Sequence, residues 1–205
     1  MAFRCSDCLS PRSSVIRADK GMAPSRPIYK CSECNATDFE SALQQVRAFE
    51  MKIADGASSS VITSNEWRGS YQNLKKICHT ESWYVQEAGD RLLQGYLDKL
   101  PMLVGDPARE QQTAWTALKL AEELLGTAQS SSMVSAPAIA FLSTSSFLRH
   151  QHLSHKLAKL RLFLVPDPRQ SIRELQEILS SLQPYFSEDH AVVVGIKASL
   201  ASAMI

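Results

Sequence analysis

From Thr37 onward, apolar residues recur at intervals of three and four with polar residues between them. That is the period of an amphipathic helix with one stripe turned to a core. Phe39, Leu43, Val46 and Ile53 form the first stripe, and Thr37 followed by Glu40 has the spacing of a capping box. A helix is therefore predicted to open at Thr37 and to close at "DGASSS", 55–60. A second runs from about Ser64 through Trp67, Tyr71, Leu74 and Ile77. A third runs from about Ser82 through Val85, Leu92, Leu93 and Tyr96 to Leu100, where Pro101 interrupts the pattern.

"GDP" at 105–107 reads as a turn before a fourth helix, about Ala108 to Leu125, with Trp115, Leu118, Ala121 and Leu125 inward. "GTAQSSSMVSAP" then reads as a loop, and the segment from Ala138 to Leu164 as one helix or two joined near "STSS". Asp167 and Pro168 give a cap and an N1 proline for a helix burying Ile172, Leu175, Ile178, Leu179 and Leu182. Ser187 is the expected cap of the last helix, which reaches an apolar C-terminal "SAMI" without a stop signal. Helices joined by short turns predict a mainly α fold, a tetratricopeptide-like bundle of hairpins without a regular repeat.

Residues 1–35 break this pattern, being rich in Ser, Pro, Arg and Cys with no helical period. The chain is accordingly divided into a small module, 1–35, and a helical domain, 36–205. The module holds two Cys-x-x-Cys knuckles, Cys5/Cys8 and Cys31/Cys34. Each such turn supplies two thiolates, and two of them close a tetrahedral zinc site with no position left for a reactive water. "SVIR", 14–17, and "PIYK", 27–30, are candidate strands of a hairpin between the knuckles, which makes the module a zinc ribbon. Zn2+ bound by Cys5, Cys8, Cys31 and Cys34 would supply the folding energy that a segment so poor in large apolar residues lacks.

Charge narrows the function. Lys+Arg of 22 against Asp+Glu of 21 gives a net charge of +1, so no basic field favours nucleic acid. The N-terminus has no apolar signal core, and "APAIAFL" is far short of a membrane span. We expect a protein of the cytoplasm or nucleus, where paired cysteines bind metal rather than each other.

The remaining chemistry is sparse. His150, His152 and His155 form "HQHLSH", with His152 and His155 on one helical face, either a metal pair or a polar stripe. Cys78 occupies an apolar helical position and reads as a buried hydrophobe. Trp67, Tyr71, Trp83, Tyr84 and Tyr96 read as core, with a groove lining as the alternative. The sequence contains no phosphate loop, dinucleotide glycine fingerprint, nucleophile elbow or H-E-x-x-H, so no catalytic residue is assigned.

"YKCSECNA" followed by helices ending in "LRLFLVPDPRQSIRELQEILSSLQPYFSEDHAVVVGIKASL" resembles the C-terminal half of SET-and-MYND-domain protein-lysine methyltransferases. In that family a zinc-binding post-SET region leads into a tetratricopeptide-like domain. The SET core with its Asn-His cofactor motif, the MYND finger and the C-x-C-x-x-C run have no counterpart here, and Ala191 follows His190 where glycine or proline is expected. The resemblance implies a non-catalytic, zinc-binding, protein-interaction region of such an enzyme, whose full-length form would transfer methyl groups. The alternatives are a free-standing zinc-ribbon adaptor in transcription or translation, and a small enzyme using the histidines. A protein or peptide partner is expected on a helical groove, and Arg149, Lys156, Lys159 and Arg161 point to an acidic peptide.

Overall fold

The computed structural model describes residues 15–17, 29–34, 36, 39–56, 63–80, 82–103, 105–131, 139–165 and 167–203. The protein is mainly helical. Strands β1 (Val15–Arg17) and β2 (Tyr29–Cys31) precede helices α1 (Glu40–Gly56), α2 (Ser64–Ile77) and α3 (Trp83–Leu97). A 3-10 turn, Leu100–Leu103, leads to α4 (Pro107–Ser131), α5 (Ile139–Leu164), α6 (Arg169–Leu182) and α7 (Ala191–Ala203). Among the described residues no helix is long and apolar enough to cross a membrane. The chain contacts fall into two units, Met1–Gly95 and Tyr96–Ile205.

In the first unit β1 and β2 pair antiparallel, with Val15 opposite Cys31, Ile16 opposite Lys30 and Arg17 opposite Tyr29. The hairpin therefore forms where "SVIR" and "PIYK" were expected, with its second strand running on into Cys31. Phe39, Leu43, Val46 and Phe49 of the adjoining segment are buried, as are Trp67, Tyr71 and Leu74 of α2. Phe49 sits edge-on to both Trp67, with centroids 6.2 Å apart, and Tyr84, at 6.4 Å, which ties α1 to α2 and α3. At Gly95 a Cβ would lie 3.2 Å from Ser64 Cβ, so α3 approaches the start of α2 closely and a larger residue there would have to displace Ser64 by a few tenths of an ångström.

The capping box occurs at α2. Thr63 Oγ1 accepts from Glu66 N at 3.4 Å, and Glu66 Oε2 accepts from Thr63 N at 2.7 Å. Two backbone donors at the helix start are thereby satisfied, an arrangement worth about 1 kcal/mol. The box expected at Thr37 and Glu40 lies partly outside the described residues, and α1 itself begins at Glu40.

The second unit is a bundle in which α5 packs on α4, α6 and α7, and α6 on α7. Ala158, Leu175, Ile178, Leu182 and Ile196 are its buried centre, with Leu162, Leu179, Phe186 and Leu200 packed around them. "GDP" works as a helix start: Gly105 adopts a φ of 114°, and Asp106 Oδ1 accepts from Arg109 N at 3.2 Å. Pro107 then begins α4. At α6 the Asp167 carboxylate accepts from Arg169 N at 3.0 Å.

Several expectations change or are decided, and Ile172, expected inside, is half-buried. Helix α4 continues to Ser131, taking in the first part of the predicted loop, and α5 is one helix through "STSS". Trp115 is 42% exposed, because the buried stripe of α4 consists of Ala114, Ala117, Leu118, Leu120, Ala121 and Leu124. Its small residues let a neighbouring helix approach closely, and Trp115 falls outside the stripe. Leu179 is half-buried, at the margin of the core that Leu175, Ile178 and Leu182 fill. Helix α7 starts at Ala191 rather than after Ser187, with Val192 N donating to His190 Nδ1 at 3.4 Å.

Candidate functional site

The second knuckle is a tight turn at the end of β2. Residues 32–34 form the turn, and Cys31 N donates to Ala36 O at 2.8 Å, folding the chain back toward α1. Glu33 N donates to Cys31 Sγ at 3.4 Å. That amide, two residues on in the turn, helps hold the first sulfur in place. Cys31 is buried and Cys34 exposed at the turn's surface. Chemically, these two thiols are of the type a four-thiolate zinc site uses, and would supply half of the expected set. Cys5 and Cys8 lie outside the described residues, and among those described no group of three or more His, Cys, Asp or Glu gathers to hold a metal.

Cys78 is of a different kind. It is fully buried, and burial pushes its thiol up to about 11 against a weaker opposing hydrogen bond from Ser82, so it stays protonated and unreactive. Of the aromatic residues, Trp67, Tyr71 and Tyr96 are core, whereas Trp83 is 54% exposed. Tyr84 donates its hydroxyl to Glu50 at 2.9 Å, and burial together with that carboxylate pushes the phenol up to about 12.

The three histidines of α5 serve different surroundings. His155 Nε2 lies 3.1 Å from Ser199 Oγ of α7, and Ser199 donates its own proton to Gly195 O at 2.9 Å. Nε2–H is therefore the donor, and the neutral ring joins α5 to α7. Burial, then the charges of Lys159, His152 and Lys156, lower the His155 pKa to about 4. His152 is lowered in the same direction, first by burial of part of its ring and then by Lys156 and Arg149. His150 lies on a groove described below.

The folded His155 pKa lies below its unfolded value of about 6.5. Unfolded chains thus bind more protons between these values, and its stabilisation, complete above the unfolded pKa, is lost as pH falls toward the folded pKa. Urea midpoints of the second unit are expected to drop between pH 7 and pH 5 and to drop less in His155→Gln. Equal drops in both proteins would show that His155 carries none of the acid sensitivity.

A groove of about 400 Å³ runs between α4, α5 and α6. Its floor is Leu157 and Ile178, both buried, with half-buried Leu125. Its walls are polar: His150, Gln151, Ser154 and Arg161 from α5, and Glu174, Glu177 and Ser181 from α6. Arg161 closes one end, reaching Glu174 at 2.6 Å and Glu122 at 3.2 Å. A smaller groove of about 200 Å³ lies between α1 and α2, where Lys52 Nζ donates to Ser70 Oγ at 3.1 Å and stands over the Trp67 ring.

These contacts alter the basic stripe expected along α5. Arg161 is matched by two carboxylates, Lys156 is buried, and Arg149 is half-buried, which leaves Lys159 as the exposed charge. The acidic-peptide expectation thus loses most of its positive surface. Sequence reasoning also missed the Glu122–Arg161–Glu174 bridge. It spans three helices and follows no helical period, and the only hint was charge beside the "VPDP" turn.

No protein-family model matches the chain. No curated protein matches it either.

Proposed function

We propose that this chain is a zinc-stapled helical module that binds other proteins, of the kind forming the C-terminal part of SET-and-MYND lysine methyltransferases, without methyl transfer of its own. The observation that carries the reading is the knuckle, a Cys-x-x-Cys turn with an amide donated to its first sulfur. A closed four-thiolate zinc orders a chain and leaves no site for chemistry. The helices then supply surface. Both grooves are lined by helix side chains.

Elemental analysis of the purified full chain is expected to give one zinc per molecule, and calorimetric titration with S-adenosylmethionine to give no heat of binding. A metal-free chain with ordered residues 29–36 would sink the zinc reading. Micromolar affinity for the cofactor would make the chain an enzyme in its own right.

A further inference from the structure

The groove between α4, α5 and α6 combines an apolar floor with an acidic wall. Arg161 is held by Glu122 and Glu174, so its charge is already answered within the protein. Glu174 also accepts from Gln170 Nε2 at 3.0 Å, which fixes its carboxylate. Glu177, one turn further along α6, is exposed on the groove wall, and among the described residues no hydrogen bond or ion pair engages it. Arg173, a turn before Glu177, is exposed and lies outside the lining. Three carboxylates therefore stand around the groove against one guanidinium.

The floor asks for a different chemistry from the wall. Leu125, Leu157 and Ile178 offer apolar surface that a solvated metal ion or a bare anion cannot use. A long side chain with an alkyl stem and a cationic head satisfies both parts, since the stem covers apolar surface while the head stays at the polar edge. We propose that this groove binds a basic peptide segment of a partner protein, with an arginine or lysine stem over Leu125, Leu157 and Ile178 and its head against Glu177 beside Glu174. The proposal names the partner chemistry of the interaction reading above and rests on it. It also reverses the charge of the partner that the sequence suggested.

The test uses the full chain labelled with nitrogen-15 and two capped dipeptides, leucyl-arginine amide and leucyl-glutamate amide, each titrated to millimolar concentration. The arginine peptide is expected to shift the amides of Ser154, Leu157, Glu177 and Ile178, less so as salt is raised, and the glutamate peptide to leave them in place. Glu177→Gln should weaken the arginine response about two- to fivefold, the range of an exposed ion pair. Glu177→Lys should reverse the preference. Because Glu177 is exposed, both variants are expected to keep the wild-type spectrum away from the groove. Equal responses to the two peptides, no response, shifts elsewhere, or an unchanged preference in Glu177→Lys would each overturn the proposal. Zinc content measured on the same sample separates the two readings. Zinc bound with no peptide response removes the groove alone, and a groove response on a chain that takes up no metal removes the zinc staple alone.

Discussion

Leu182→Ala is expected to destabilise the second unit by about 2–5 kcal/mol, the range for a large-to-small change in a closed core. Leu182 is fully buried in one cluster with Ala158, Leu175, Ile178 and Ile196, a core built from α5, α6 and α7. The missing methyl groups lose their transfer free energy, and neighbours held by three helices can relax only in part. Leu179→Ala is expected to cost distinctly less, because Leu179 is half-buried at the cluster's margin. Amide hydrogen exchange in α6 and α7 is the fitting measurement, since it reports this unit without assuming that the whole chain unfolds in one step. Equal acceleration of exchange in the two variants would show that the core is not centred on Leu182.

On the zinc-staple proposal, removing the metal should have the other large effect, and a local one. The hairpin consists of two three-residue strands, too little to persist alone in water. A structural zinc contributes on the order of 10 kcal/mol of apparent binding energy to a segment of this kind. Chelation, or Cys31→Ser, is expected to release protection at residues 29–36 and to fray the start of α1, because Cys31 N bonds back to Ala36 O just before buried Phe39. Helices α4 to α7 should keep their exchange rates, having a core of their own. Cys78 serves as an internal control: its buried thiol, pushed up to about 11, should resist alkylation while the knuckle cysteines of the metal-free chain react. A hairpin that keeps its protection without metal would refute the staple.

Local and periodic features were legible in the sequence. The 3.6-residue spacing of Leu175, Ile178 and Leu182 located α6 and its buried face, and "GDP" marked a turn that the structure builds from Gly105, Asp106 and Pro107. The paired strands were readable as well, since short β-branched runs flanked a turn-rich stretch. Both kinds of signal depend on neighbours along the chain, which is all that sequence spacing encodes.

What the sequence determined alone is therefore the mainly helical fold, the order of its helices and the paired strands that end in the turn at Cys31–Cys34. Tertiary structure decided which apolar residues lie inside, since the Ala-rich stripe of α4 leaves Trp115 at the surface. It also decided the electrostatics. Arg161 reads as a free cation in the sequence, but Glu122 and Glu174 come from helices on either side of it in the chain and take up its charge, while His155 spends its proton on Ser199. The physical reason is that helix periodicity fixes which face a residue occupies, whereas the partner across that face depends on how separate helices pack, a relation between distant positions that no local pattern carries.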